Sequence, residues 1–251
     1  MRIVIVTGAS SGIGREFVKQ IGHFYKNLDE IWVIARRRER LEQLRNISAV
    51  PIRIFDGDLL HKQVYVQLKK ALLREHPDVR MLVNAAGFGK SGTVEDILEE
   101  DRKIQLQMID LNCIALSRMT FTCMPYLTRG SRIINLASAA AFSPQPQLTV
   151  YAATKSYVLS FSRGLGAELR EKGICVTAVC PGPVETEFFD VAGELQNVFK
   201  KMTLVKAPDV VRKALLDSRA GKSISVYGLP IKAAHAAAKI LPTDLVVRVI
   251  G

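Results

Sequence analysis

The strongest constraint on this chain lies at its beginning. A short apolar run, Ile3-Val4-Ile5-Val6, ends in Thr7-Gly8-Ala9-Ser10-Ser11-Gly12-Ile13-Gly14 and passes directly into a helical stretch, Gly12–Phe24. The glycines are spaced G-x-x-x-G-x-G, which differs from the G-x-G-x-x-G of many dinucleotide sites but follows the same physical logic. Missing side chains let the backbone turn tightly and approach a pyrophosphate, and the helix start offers N–H groups and the positive end of its dipole. A strand, a glycine turn and a helix in that order commit the chain to an α/β fold with an anion site at the first junction.

The remainder keeps this rhythm. Strand-like runs fall at Ile3–Thr7, Ile31–Ala35, Ile52–Phe55, Met81–Asn84, Arg132–Leu136, Cys175–Cys180 and Ser223–Val226. Several are apolar at nearly every position, as expected of strands covered on both faces. Between them lie helical stretches, among them Leu60–Arg74, Arg102–Leu127 and Tyr151–Lys172. The expected architecture is a single Rossmann-like, doubly wound domain over 1–251, with about seven parallel strands and helices on both faces. Residues 1–130 form the cofactor half, 131–228 the catalytic and substrate half, and 229–251 a helical extension. A chain of 251 residues, 48% hydrophobic and 24% charged, can bury such a core without metal or disulfide support.

Composition narrows the function classes. The four cysteines, at 113, 123, 175 and 180, have no C-x-x-C spacing and read as reduced, mostly buried thiols. Histidines 23, 61, 76 and 235 are scattered, so no metal site is expected. The net charge of +11 suits anionic ligands, but no basic–aromatic motif points to nucleic acid. The opening apolar run is too short for a secretion signal and no stretch is long enough to span a bilayer, which makes the cytoplasm the expected compartment.

Three clusters carry the chemistry. The second strand ends in Arg36-Arg37, where an acid would favour the ribose 2′-hydroxyl of NAD and an arginine the 2′-phosphate of NADP. Arg38 and Arg40 read as the start of a solvated helix. Ser138 precedes Tyr151 by thirteen residues, and Tyr151-Ala152-Ala153-Thr154-Lys155 puts tyrosine and lysine on one helix face, a turn apart. The third cluster, Pro181-Gly182-Pro183-Val184-Glu185-Thr186, follows the sixth strand.

Taken together, these motifs resemble the classical short-chain dehydrogenase/reductase family, over Thr7 to Thr186. Asn84-Ala85-Ala86-Gly87 is similar to the family's Asn-Asn-Ala-Gly element, with alanine at its second position, and Asp58-Leu59 to its adenine-contacting position. The resemblance implies Tyr151, Lys155, Ser138 and Asn112 as the catalytic set. It implies NADP(H) held by Gly8, Ser10, Ser11, Gly12, Ile13, Gly14, Arg36, Arg37, Asp58, Leu59, Asn84, Ala85, Ala86, Gly87, Tyr151, Lys155, Pro181, Gly182, Val184 and Thr186.

The residue types suit carbonyl reduction. Hydride addition makes an alkoxide that must be protonated as it forms, and a free phenol titrates near pH 10. The Lys155 ammonium is expected to lower the Tyr151 pKa, while Ser138 donates to the developing oxyanion. Asn112 is expected to support a water-linked proton path to the lysine.

On the substrate side, Phe188, Phe189, Phe199 and Met202, with Phe142 beside Ser138, suggest an apolar small-molecule carbonyl or alcohol. The tail, Leu229–Ile240 and Asp244–Ile250, carries Lys232, Lys239 and Arg248 among apolar residues. It is expected to pack in a homodimer, cover the cleft, or lie on an acidic membrane surface. The competing reading of the chain is a non-catalytic NADPH-binding sensor or scaffold.

Overall fold

The computed structural model describes residues 1–188 and 204–250, the last three by backbone alone. Phe189, Phe199, Met202 and the Arg248 side chain, all weighed above for the substrate side or the tail, lie outside the described residues.

The strands are β1 (Arg2–Thr7), β2 (Glu30–Ala35), β3 (Ile52–Asp56), β4 (Asp78–Asn84), β5 (Arg132–Leu136), β6 (Cys175–Val179), β7 (Val184–Glu185), β8 (Val205–Lys206) and β9 (Ile224–Ser225). Seven of them form one sheet in the order β3-β2-β1-β4-β5-β6-β9, parallel throughout. The doubly wound, Rossmann-like architecture expected from the sequence is what forms.

The pleat explains why β1 is apolar at successive positions. Ile3 and Ile5 join a cluster with Trp32, Ile34, Leu68 and Leu72. Val4 and Val6 point the other way and pack with Phe17, Val18, Ile21 and Leu215. Helices α1 (Gly12–Phe24) and α8 (Ala207–Arg219) cover that second face. Helices α3 (Lys62–Glu75), α6 (Leu116–Cys123) and α7 (Thr149–Glu168) cover the first. Phe17, Val18 and Ile21 follow a helical spacing, and each is fully buried, worth about 1.5–3 kcal/mol per side chain.

Chain order reverses between β1 and β4, which are neighbours in the sheet though far apart in sequence. The loops leaving these two strands diverge to opposite faces and open a crevice at their carboxyl ends, where ligands bind in such sheets. The glycine turn and Asn84–Gly87 are those two loops.

The helix expected over Arg102–Leu127 is not continuous. It divides into α5 (Ile104–Ile109), a π-helical turn over Asp110–Ala115, α6, and a 3-10 turn at Met124–Tyr126 that contains Pro125. The wide turn is centred on Asn112, whose buried side chain bonds to neighbouring elements; such bulges recur at functional sites. A short helix, α4 (Val94–Glu100), was not anticipated. Thr93 caps it by accepting from the Asp96 N–H at 3.1 Å.

Strands β7 and β8 pair in parallel, Val184 with Val205 and Glu185 with Lys206. They bind together the two ends of the stretch that runs between them.

The tail forms α9 (Leu229–Ile240) and α10 (Thr243–Ile250). Ile231 is buried with Cys180 and Val226, and His235 stacks on Phe142 with ring centroids 4.3 Å apart. Leu229, Ala233, Ala236, Ala237 and Ile240 share the opposite, exposed face of α9. Among the described residues no helix is long and apolar enough to cross a membrane.

Candidate active site

The glycine turn is held from two sides. The Gly8 N–H donates to the Ile34 carbonyl of β2 at 2.9 Å. Gly8 has φ +67°, and a β-carbon there would lie 2.7–2.8 Å from the backbone of Ala85 and Ala86. One on Gly14 would lie 2.2 Å from the Gly8 carbonyl oxygen. Both positions require glycine because two loops and a helix start meet there. The Thr7 hydroxyl ties them: it accepts from the N–H groups of Ala85 and Ala86 at 3.1 and 3.2 Å and donates to the Val83 carbonyl.

Gly12 has a different task. A β-carbon on it would lie 3.3 Å from the Thr186 side chain, so the absent side chain lets Thr186 pack closely against the start of α1. Ser11 makes no side-chain cap, and the first-turn N–H groups of α1 point out of the helix end. A glycine turn and an uncapped helix start with free N–H groups suit a dinucleotide pyrophosphate. Ile13 packs against the core and anchors the turn.

At the end of β2 the two arginines divide. The Arg37 guanidinium donates to the hydroxyls of Ser10 and Ser11 at 3.3 and 3.0 Å and lies over the turn. Arg36 is turned away, its side chain 78% exposed and 4.0 Å from the Asp58 carboxylate. Asp58 also accepts from the Leu60 N–H at 2.9 Å. Leu59 is buried in the core beneath α3, and its carbonyl accepts the Tyr65 hydroxyl.

Arg38 bonds Asp56 at 2.7 Å on the surface. Arg40 is not the solvated residue expected from sequence. It holds both carboxylate oxygens of Glu187, at 2.6 and 2.7 Å, and Arg37 reaches the same carboxylate at 3.2 Å. An acid thus does approach the arginines, from a segment far along the chain.

The catalytic candidates converge at the carboxyl end of β5. Ser138 leaves that strand two residues after Leu136 and starts a 3-10 turn, accepting from the Ala140 N–H at 3.1 Å. Its hydroxyl lies near enough to Tyr151 to pull that phenol's pKa down. Lys155, a turn further along α7, is 6% exposed and donates to the Leu136 carbonyl at 2.8 Å. Its ammonium lies 5.6 Å from the Tyr151 ring centre.

Electrostatics differ from the expected pattern. Burial pushes the Tyr151 phenol up to about 12, while the Ser138 hydrogen bond pulls it down. Burial pushes Lys155 down to about 8, against the opposing pull of the Cys113 and Cys180 thiols. The expected lowering of the tyrosine by Lys155 is therefore absent from the unliganded cleft, because desolvation dominates both groups.

Asn112, 1% exposed, has its amide engaged on both sides. Its Oδ1 accepts the Phe88 N–H at 3.1 Å, and its Nδ2 donates to the Phe88 carbonyl and the Thr154 hydroxyl at 2.9 and 3.0 Å. It fastens the Asn84–Phe88 loop to α7 beside Lys155. Asn84 is a buried strut, donating to Thr120 and Asn135. The Pro181 carbonyl accepts from the Ala139 N–H, Val184 is in the core, and Thr186 closes a local turn by accepting the Phe188 N–H. The Phe188 ring lies 5.6 Å from that of Tyr151. Phe142, expected near the cleft, stacks on His235 of α9.

Sequence reasoning missed Glu187, Arg40, Thr154 and the tie made by Thr7. Only the last had a signal, its place at the strand end inside the glycine motif. Among the described residues no cluster of His, Cys, Asp and Glu is arranged to hold a metal ion.

Residues 2–196 match the short chain dehydrogenase family, and the chain belongs to it. It is therefore a nicotinamide-dependent oxidoreductase of carbonyl and alcohol groups. It is 30% identical over 187 residues to an uncharacterized oxidoreductase of Staphylococcus epidermidis, covering 74% of this chain and 79% of that one. It is 34% identical over 190 residues to the sulfoacetaldehyde reductase of Chromohalobacter salexigens, covering 74% and 73%. A short-chain dehydrogenase from Sphingobium yanoikuyae, solved in complex with NADPH, superposes with a TM-score of 0.79 at 27% identity, over 95% of this chain and 92% of that one.

Proposed function

We propose that this chain is an NADPH-dependent reductase of apolar carbonyl compounds, with Tyr151 as its proton donor. The observation that carries the reading is the Tyr151–Ser138 pair with buried Lys155 one turn behind it. A phenol held at about 12 keeps its proton at neutral pH, which is the state a reductase needs.

Bound NADPH would supply the hydride. Ser138 and Tyr151 would orient the substrate carbonyl oxygen by hydrogen bonds, and Tyr151 would pass its Oη proton to that oxygen. The Lys155 ammonium would stabilise the phenolate left behind, and Asn112 would keep the Phe88 loop and α7 in register around it. The first-turn N–H groups of α1 would hold the pyrophosphate.

Preference for NADPH rests on the Ser10, Ser11 and Arg37 group, which offers hydroxyls and a guanidinium fork suited to a 2′-phosphate. Arg36 would take a lesser, outer part. The NADPH bound by the Sphingobium relative supports the same choice. The Phe188 ring beside Tyr151 favours an apolar substrate. Exposed Leu106, Ile109, Ile114, Phe121 and Tyr157, rather than the tail, form the face we assign to a homodimer contact.

The test follows nicotinamide absorbance with NADPH or NADH and a panel of carbonyl compounds, comparing wild type with Tyr151→Phe. NADPH oxidation that depends on an apolar carbonyl and disappears in the variant is the expected result. NADPH binding with turnover that survives in Tyr151→Phe would overturn the catalytic assignment.

A further inference from the structure

The carboxylate of Glu187 joins two parts of the chain that the sheet keeps apart. It sits directly after Thr186, whose side chain packs against Gly12 at the start of α1. From there it reaches over to α2 (Arg38–Glu42), the short helix following β2, and takes both of its oxygens to Arg40. Arg37, at the start of that helix, shares the same carboxylate and also binds Ser10 and Ser11. Glycine turn, arginine helix and the Thr186–Phe188 segment are thus linked to one another beside the first turn of α1.

We propose that Glu187 and Arg40 form a latch over the bound dinucleotide, setting how fast it leaves. This rests on the reading of the cleft as a dinucleotide site. Thr186 packs on Gly12 at the start of α1, and Glu187 beside it reaches α2, so a pyrophosphate on the first-turn N–H groups would be bordered by this fastened segment. Two arginines face one carboxylate, which leaves a guanidinium for a phosphate group without stripping Glu187 of its partner. Arg40 reaches both carboxylate oxygens through one guanidinium nitrogen, and Arg37 makes the longer contact that can be released to ligand.

The size of the effect is bounded. Side chains of Arg40 and Glu187 are 39% and 47% exposed, so water competes for the pair. Opening the latch should therefore speed release by about two- to fivefold, with less change in association.

Position separates the latch from the machinery of selection. Glu187 and Arg40 bond each other and not Tyr151 or Lys155, whereas Arg37 is the residue on the serine hydroxyls. Loss of the latch should shift release of NADPH and NADH alike, while loss of Arg37 should alter the preference between them.

The experiment is stopped-flow displacement of bound nicotinamide cofactor, read by its fluorescence, on the full chain. Wild type, Glu187→Gln, Arg40→Gln and the double variant are compared, with thermal unfolding recorded for each. Faster release in both single variants, no further gain in the double variant and unchanged unfolding temperatures are expected. Release rates equal to wild type would overturn the latch. Tighter NADPH binding in Glu187→Gln would overturn it too, by showing that the carboxylate competes with the 2′-phosphate. A wild type that prefers NADH would refute the NADPH reading while leaving the latch to be judged on NADH release.

Discussion

The Lys155 ammonium donates to the Leu136 carbonyl at 2.8 Å, and Leu136 is the last residue of the strand that delivers Ser138. One carbonyl thus fixes the lysine relative to the serine, and α7 fixes it relative to Tyr151. The arrangement has a cost that can be measured, because the ammonium sits in a buried place that disfavours its charge. Its pKa falls from an ordinary 10.5 to about 8. The unfolded chain therefore binds more protons than the folded one between those values, and stability should rise as pH increases through that window. Below about 8 the full penalty is present. Lys155→Met should raise the unfolding free energy at pH 7 by about 1–3 kcal/mol while removing most turnover. Thermal unfolding at pH 7 and pH 10 checks this: the gain should be clear at the first and much smaller at the second.

Turnover should follow the same group. With Tyr151 protonated across the accessible range, the carbonyl-reducing rate at saturating cofactor should be level at neutral pH. It should fall as pH rises through about 8, where Lys155 loses its proton. A rate that climbs through that region would contradict the assigned roles. Tyr151→Phe should lower kcat by about 10²–10⁴-fold with little change in cofactor affinity, measured by fluorescence titration.

Cofactor choice should respond unequally to neighbouring arginines. Arg37→Gln removes the guanidinium from Ser10 and Ser11 and should weaken NADPH binding about 10- to 100-fold, leaving NADH nearly unaffected. Arg36→Gln, at a side chain turned to solvent, should have a smaller effect in the same direction. Calorimetric titration of both variants with both cofactors decides it, and equal losses from the two substitutions would reverse the ranking.

Gly8→Ala should be damaging for backbone reasons alone. The residue has φ +67°, and the added carbon would meet the Ala85–Ala86 backbone at 2.7–2.8 Å. Destabilisation of about 2–4 kcal/mol is expected, seen in urea unfolding, and cofactor binding should fall with it. Gly164→Ala, where an added carbon meets nothing within 4 Å, serves as the helix control and should be neutral or stabilising.

Phe121 is 59% exposed and Tyr157 43%, among neighbouring apolar side chains on α6 and α7. Phe121→Glu should shift the particle towards monomer by size-exclusion light scattering. An unchanged mass in that variant, with a dimeric wild type, would place the contact elsewhere.

What the sequence made legible follows from how local each signal is. The first junction was readable because strand, turn and helix are consecutive, and the Tyr151–Lys155 spacing because one helix sets it. The π-turn at Asn112 was hidden, since it depends on Phe88 and Thr154, which reach it only after folding. Glu187 was hidden for the same reason: 147 residues separate it from Arg40. The two arginines at the end of β2 could be listed from sequence, but which one lies over the turn is a matter of side-chain direction. The direction of the Tyr151 shift was hidden because charge proximity is visible in a sequence and desolvation is not.

The pairing of β7 with β8 has an implication for how such a chain diversifies. Val184 and Val205 clasp the two ends of the intervening stretch like the neck of a bag. Because that clasp lies beside Thr186 and Glu187, sequence change further along the stretch can leave the contacts of those two residues in place. A new substrate preference can then arise by rewriting that one stretch, while the parts that handle hydride and proton stay as they are.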